Sequence, residues 1–148
     1  MTPSVPESGA GIIRASLAGT ALFTITASVG AALPDIFGVP SAVVAGALFV
    51  VGCGAFLWAF AIAVGRSRAE AIGVGGLYLL VGSAPRQVQR LLLGAVAAQA
   101  VVALVTASVR PFTSLAFGIL VPMLGLGLAG LWAARHGTFA AREDAAEP

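Results

Sequence analysis

Four long stretches of this sequence contain no charged side chain: residues 15–33, 42–64, 91–109 and 112–134. At 1.5 Å per helical residue, each stretch is about 30 Å long, which matches the hydrocarbon core of a bilayer. The 148-residue chain is 59% hydrophobic and 9% charged, whereas an average soluble domain has about 25% charged residues. These proportions exclude a soluble enzyme and a nucleic-acid-binding protein. The sequence predicts an all-α, polytopic membrane protein with four transmembrane helices.

Proline-containing segments divide the four spans into two predicted hairpins. Pro34 and Pro40 bound a short turn between the first two helices, and Ser41 follows as a candidate N-cap of the second helix. Pro111 separates the third helix from the fourth. The long connection, residues 65–90, joins the two hairpins.

The hairpins and their connection form one predicted transmembrane domain, residues 12–136. Residues 1–11 and 137–148 on either side are polar or small and show no periodicity. Segments of this kind bury too little apolar surface to become ordered. Both are predicted to be disordered tails.

Between the second and third spans, residues 71–84 are apolar and rich in glycine but too short to cross a bilayer. Two interpretations are open. In the first, the segment is a short interfacial or re-entrant helix in the inner leaflet. In the second, it is a helical cytoplasmic cover packed on the bundle. The first interpretation places four arginines on anionic lipid head groups: Arg66, Arg68, Arg86 and Arg90.

The distribution of arginine predicts the orientation of the chain. Seven arginines lie on one side of the four spans, and Arg110 alone lies on the other. By the positive-inside rule, the arginine-rich side is cytoplasmic. The sequence therefore predicts a multi-pass protein of the bacterial plasma membrane, with both termini in the cytoplasm. In a bacterium that also has an outer membrane, this is the inner membrane.

A cleaved signal peptide is an alternative interpretation of the first span. Small residues over 27–31 follow its apolar run, as at cleavage sites. The uncharged run is longer than the usual apolar region of about 7 to 15 residues in signal peptides. Cleavage would leave three spans with the carboxyl terminus on the same side.

In span number, size and composition from Ile12 to Gly137, the chain resembles the small, uncharacterised four-helix integral membrane proteins of actinobacteria. The resemblance rests on this layout and on no diagnostic motif. It implies a location in the membrane and implies no activity.

A layer of polar or irregular residues lies near the predicted bilayer centre. Gln99 and Pro122 are each about 15 Å from the outer ends of their spans, and Thr24 and Cys53 are at similar depths. Pro122 has no amide hydrogen and frees the carbonyl of Gly118, which then needs another donor. The amide of Gln99 and the hydroxyl of Thr24 can supply hydrogen bonds. We predict an inter-helix cluster of these five residues.

Three interpretations of this cluster are open. It is a structural contact that sets helix register, a midplane site for a solute or ion, or a self-association contact through Gln99. Hydrogen bonds inside membranes contribute only about 0.6–2 kcal/mol, which favours the structural interpretation. At the outer surface, Asp35 and Arg110 are predicted to pair across the two short loops.

The sequence contains no catalytic or cofactor motif. Without Lys there is no P-loop, and one Cys and one His cannot form a disulfide or a zinc site. His136 lies at a helix end, where a solvated side chain is ordinary. We therefore predict no enzymatic activity, no cofactor or metal, and no nucleic-acid partner.

The first functional hypothesis is a non-enzymatic accessory or assembly subunit of a larger membrane complex. Its partners are the lipid bilayer and either other membrane subunits or further copies of the chain. An alternative is an oligomeric channel or small-solute transporter that uses the midplane cluster. A second alternative is a membrane module that binds anionic lipid through residues 71–84 and the flanking arginines.

Overall fold

The structure is a computed structural model that describes residues 6–143, and over that range it is all-helical, without a β-strand. Four helices are long and apolar enough to cross a membrane, as expected, the fourth being η1 and α5 together. The elements are α1 (Ala10–Ala32), α2 (Pro34–Arg66), α3 (Val74–Tyr78), α4 (Arg86–Val109), the 3₁₀ helix η1 (Ser114–Leu120) and α5 (Pro122–His136).

Helix α2 begins earlier than the sequence indicated. The turn expected over residues 34–40 is wrong, because this segment forms the first two turns of α2 and only Leu33 separates α2 from α1. Pro34 occupies the first turn, where a missing amide hydrogen costs nothing. Ser41 is therefore inside the helix and is not its N-cap. Its hydroxyl donates across to the carbonyl of Thr26 on α1, at 2.7 Å.

The fourth span is broken in the middle. Helix η1 is wound as a 3₁₀ helix up to Leu120, and α5 starts at Pro122 as a regular α-helix. Proline fits the first position of a helix, whereas in a helix interior it removes an amide donor, as Pro40 does inside α2. At Pro122 the chain ends one helix and starts another, near the midpoint of this span.

Helix α5 is the centre of the bundle and packs against α1, α2, α3 and α4. Its approach to α2 is a contact of backbones. A β-carbon on Gly52 would lie 2.5 Å from the amide nitrogen of Leu124, and a β-carbon on Gly127 would overlap the carbonyl oxygen of Gly52. Glycine at both positions thus permits the backbones of α2 and α5 to come into contact.

The end of the bundle that carries α3, here called the α3 end, is covered by residues 137–143. The amide of Thr138 donates to the carbonyl of Ser83 at 3.0 Å, and the amide of Ala71 donates to the carbonyl of Ala140 at 2.8 Å. Glu70 and Ala141 form an isolated antiparallel bridge. The prediction of disorder is wrong for residues 137–143, because backbone hydrogen bonds hold them against the connection between α2 and α4.

The amino-terminal side is ordered earlier than expected as well. Helix α1 begins at Ala10, and the indole nitrogen of Trp132 donates to the carbonyl of Ser8 at 3.1 Å. The expected disordered tail is therefore wrong for residues 6–11. The remainder of both predicted tails, residues 1–5 and 144–148, lies outside the described residues.

The crossing of α2 and α5 predicts different effects for two glycines of α2. Gly52→Ala should lower the melting temperature in detergent, because the added methyl group overlaps the backbone of α5 and overpacking costs about 1–3 kcal/mol. Gly54→Ala is the matched control, since a β-carbon there meets no atom within 4 Å. Equal melting temperatures for the two variants would contradict the crossing.

Candidate functional site

Gln99 is a fully buried polar side chain near the middle of the bundle, with 0% of its surface exposed. It lies on the inner face of α4. Its Nε2 donates to the Thr20 hydroxyl oxygen on α1 at 2.8 Å, and its Oε1 accepts the amide of Gly125 on α5 at 3.2 Å. One amide side chain thus joins three helices. We call Thr20, Gln99 and Gly125 the Gln99 cluster.

The break at Pro122 explains why Gly125 needs a partner. In a regular helix the amide of Gly125 would donate to the carbonyl of Val121. That carbonyl already accepts the amide of Leu124, at 2.8 Å, because the tight winding of η1 continues for one more residue. The amide of Gly125 donates to Gln99, so a side chain from another helix supplies its acceptor.

The other members of the cluster are arranged around this bond. The Thr20 hydroxyl accepts from Gln99 and donates to the carbonyl of Ser16 one turn earlier, at 2.8 Å. Gly125 admits α4 because a β-carbon there would lie 2.6 Å from Cγ2 of Val96 and 2.9 Å from Oε1 of Gln99. A larger residue at position 125 would separate the donor from its acceptor.

The structure brings together a different set of residues from the predicted one. The hydroxyl of Thr24 donates to the carbonyl of Thr20 in its own helix, at 2.8 Å, and does not reach Gln99. The carbonyl of Gly118 accepts the amide of Val121 at 3.0 Å, so it needs no partner from another helix. Pro122 acts through the helix break. Cys53 lies half-buried on α2 outside this network.

Thr20 and Gly125 were missed by the sequence analysis for a definite reason. The predicted cluster was built around the carbonyl freed by Pro122 and not around the amides of the new helix. Gly125 is the fourth residue of α5, where a regular helix would pair its amide with the carbonyl of Val121. Its bond to Gln99 depends on the tight local winding at the break, which the sequence does not reveal.

The cluster supplies an acceptor for the amide of Gly125 at the helix break. Each end of the Gln99 amide is bonded to the protein, and the described residues contain no group of His, Cys, Asp or Glu suited to a metal ion. Ser16 carries a buried hydroxyl oxygen without a hydrogen-bond partner in the structure. The two hydrogen bonds of Gln99 link α4 to α1 and to α5.

The four arginines expected at lipid head groups have different surroundings. Arg66 binds within the protein, where its Nη1 and Nη2 donate to the carbonyls of Ala134 and Gly137 at 2.8 and 3.1 Å. Its Nη2 is also 2.7 Å from Oε2 of Glu70. These carbonyls end α5, where unpaired acceptors and the helix dipole favour a cation. Arg68, Arg86 and Arg90 are exposed.

Arg110 also binds within the protein. Its Nε donates to the carbonyl of Ala31 at the end of α1, at 3.1 Å. Asp35 is exposed in the first turn of α2. The expected Asp35–Arg110 pair is wrong, since the one ion pair among residues 6–143 joins Arg66 to Glu70.

Tyr78 links the α3 end to the core. Its ring stacks on Phe56 with a centroid distance of 4.1 Å, and its hydroxyl donates to the carbonyl of Phe56 at 3.1 Å. Burial raises the pKa of Tyr78, so the phenol is neutral at pH 7 and remains a donor. Gly130 provides space for the ring, because a β-carbon there would lie 2.5 Å from it.

Comparison of the chain with known protein families, with curated proteins and with solved structures finds no match.

The Gln99 cluster predicts that two threonines of α1 differ in importance. Thr20→Val should lower the free energy of unfolding by about 1–2 kcal/mol, because it leaves the buried Nε2 of Gln99 without an acceptor. Thr24→Val should change it by less than about 0.5 kcal/mol, since that hydroxyl bonds only within its helix. Unfolding in mixed detergent and dodecyl sulfate micelles measures both. A larger loss for Thr24→Val would contradict the cluster.

The contacts of Arg66 predict local opening when the guanidinium is removed. In Arg66→Gln, the amides of Ala71, Thr138 and Arg142 should exchange with deuterium about tenfold faster, because the segment 137–143 loses the bond from Arg66 to the carbonyl of Gly137. The bond from Arg142 to the carbonyl of Ser67 remains. Arg68→Gln is the control, since Arg68 is exposed. Equal exchange rates in the two variants would show that Arg66 does not hold this segment.

Proposed function

We propose that this chain is a non-enzymatic, multi-pass protein of the bacterial plasma membrane that serves as an accessory or assembly subunit of a larger membrane complex. The observation that carries the proposal is an uncovered face of α2 with the pattern of a helix-packing surface. The proposal includes the resemblance in layout to the small four-helix membrane proteins of actinobacteria.

The uncovered face of α2 repeats every seven residues. Small residues recur at one position of the repeat, and larger apolar residues recur at another. The small ones are Ala47, Gly54 and Ala61, and the larger ones are Val43, Val50 and Leu57; all six are exposed. A seven-residue repeat is the period of left-handed helix pairs, and small residues allow close approach of two backbones inside a membrane. This face suits a helix of another subunit.

The opposite face of α2 supports this assignment. Ala59 and Ala63 are buried together with Gly52, which touches α5. Helix α2 therefore has one small-residue face that is used inside the bundle and a second that no described part of the chain covers. Lipid alone requires no small residues, since lipid chains adapt to bulky apolar side chains.

The Gln99 cluster favours a subunit over a channel or transporter. Transport sites at the midplane of a membrane expose polar groups to the solute. Here the Gln99 amide bonds Thr20 and Gly125 within the protein. A solute could bind only by breaking these two bonds.

The proposed topology has two hairpins, with both termini and the α3 end in the cytoplasm. Helix α1 packs on α2, and α4 packs on η1 and α5, which supports two hairpins. Exposed arginines gather at the α3 end, and Arg110 lies at the other end, which supports the orientation. Val74 and Leu79 are exposed in and beside α3, which supports its contact with the inner leaflet over a purely aqueous cover.

The test is affinity purification of the tagged chain from cells that express it naturally, in mild detergent and with mass spectrometry. We expect a membrane protein to co-purify in a fixed ratio with the wild type. Gly54→Leu should abolish this co-purification, because a leucine side chain at the small position keeps a partner helix away.

Gly94→Leu on α4 is the matched control for this experiment. Gly94 is an exposed helical glycine, and a β-carbon on either glycine meets no atom within 4 Å. The control should retain the partner. A stable homomer without a companion, or a partner that Gly54→Leu retains, would overturn the proposal.

A further inference from the structure

An apolar cleft of about 400 Å³ lies between the end of α2 and the segment that leads into α3. We call it the α2–α3 cleft. Phe56, Phe60 and Val64 line it from α2, and Gly73, Val74 and Leu77 line it from the other side. Its volume lies in the range of about 300–1,000 Å³ that is usual for sites of small ligands.

The cleft is continuous with the outer apolar surface of α2. Phe60 and Val64 line the cleft and are also more than half exposed on the long apolar helix. Across the opening, Val74 is 76% exposed. An opening between a membrane-crossing helix and a short apolar segment lies at the level where lipid chains meet their head groups. The chemistry of its walls matches a hydrocarbon chain.

The charge beside the cleft is positive. Ser67 lines the cleft, and the next residue, Arg68, is exposed and makes no hydrogen bond or ion pair within residues 6–143. The nearby acid, Glu70, is paired with Arg66. A free guanidinium at the level of the head groups favours a phosphate, to which it can donate two hydrogen bonds.

We propose that the α2–α3 cleft binds one acyl chain of an anionic phospholipid from the cytoplasmic leaflet, with the lipid phosphate held by Arg68. The proposal rests on the membrane topology proposed above and is independent of any partner subunit. The cleft differs from an ordinary lipid-facing surface because three aromatic rings form part of its walls, those of Phe56, Phe60 and Tyr78.

Native mass spectrometry of the delipidated full chain in detergent tests this proposal. The probes are dioleoyl phosphatidylglycerol, which is anionic, and dioleoyl phosphatidylcholine, which is zwitterionic. The wild type should bind one phosphatidylglycerol more tightly than it binds phosphatidylcholine. Gly73→Phe should weaken the binding of phosphatidylglycerol by about tenfold or more, because the ring occupies the cleft.

Gly75→Phe is the matched control. Both glycines lie at the start of α3, and a β-carbon on either meets no atom within 4 Å, but only Gly73 lines the cleft. The control should bind lipid like the wild type. Val74→Trp is a second variant that fills the opening from an exposed position, in case Gly73→Phe does not fold.

The head group is tested separately. Arg68→Gln should remove the preference for phosphatidylglycerol over phosphatidylcholine, whereas Arg14→Gln, an exposed arginine on α1 that does not line the cleft, should keep it. Glycerol 3-phosphate, which has the phosphate without the chains, should not displace the lipid. Displacement by glycerol 3-phosphate, absence of binding to the wild type, or unchanged binding in both cleft-filling variants would each overturn the proposal.

These outcomes are distinct from those of the subunit experiment. Gly54 lies outside the cleft lining, so Gly54→Leu should bind phosphatidylglycerol like the wild type. Loss of the partner in that variant with retention of lipid would separate the two sites. A failure of one proposal therefore leaves the other intact.

Discussion

The hydrogen bond from the amide of Gly125 to the side chain of Gln99 is the interaction on which the bundle depends. In an apolar environment every backbone polar group needs a partner from the protein, because water is not available to replace it. A proline in the middle of a span creates a shortage of partners. Here the shortage is met by a side chain from a neighbouring helix, so the break in the fourth span connects α4 to α5. Thr20 extends the same connection to α1.

The bundle also requires short distances between its helices, and glycine residues make them possible. Gln99 reaches Gly125 only because that residue has no side chain between α4 and α5. Gly52 and Gly127 allow the backbone of α2 to contact that of α5 from another side. Helices in lipid gain little from burying apolar surface against each other, so packing and hydrogen bonds at short distance must hold them together. The glycines and the one buried amide therefore act as a single system, and α5 stands at its centre.

The number and approximate position of the long apolar helices could be predicted from sequence, because length and absence of charge are local properties. The layer around Gln99 was found by counting residues from the ends of the spans, and this count could not choose Thr20 over Thr24. Thr20 and Thr24 are one helical turn apart, and which of them meets Gln99 depends on how α1 is placed against α4.

Helix ends were predicted wrongly where tertiary contacts determine them. Residues 34–40 join α2 despite two prolines, and residues 137–143 are held by hydrogen bonds to a loop 55 to 73 positions earlier.

Helix α2 presents three faces, and the inner one determines where the other two point. Gly52 must face α5, because neighbouring residues such as Cys53 carry side chains for which the crossing has no room. Rotation of α2 by one residue is a turn of about 100°. Such a turn would also withdraw Arg66 from the carbonyls that end α5. The contacts at Gly52 and at Arg66 are separated by almost four turns and agree on one orientation.

That orientation of α2 places Ala47, Gly54 and Ala61 on the uncovered surface. It also directs Phe60 and Val64 to the cleft beside α3. A change at the buried crossing should therefore alter both outer surfaces together, although it touches neither.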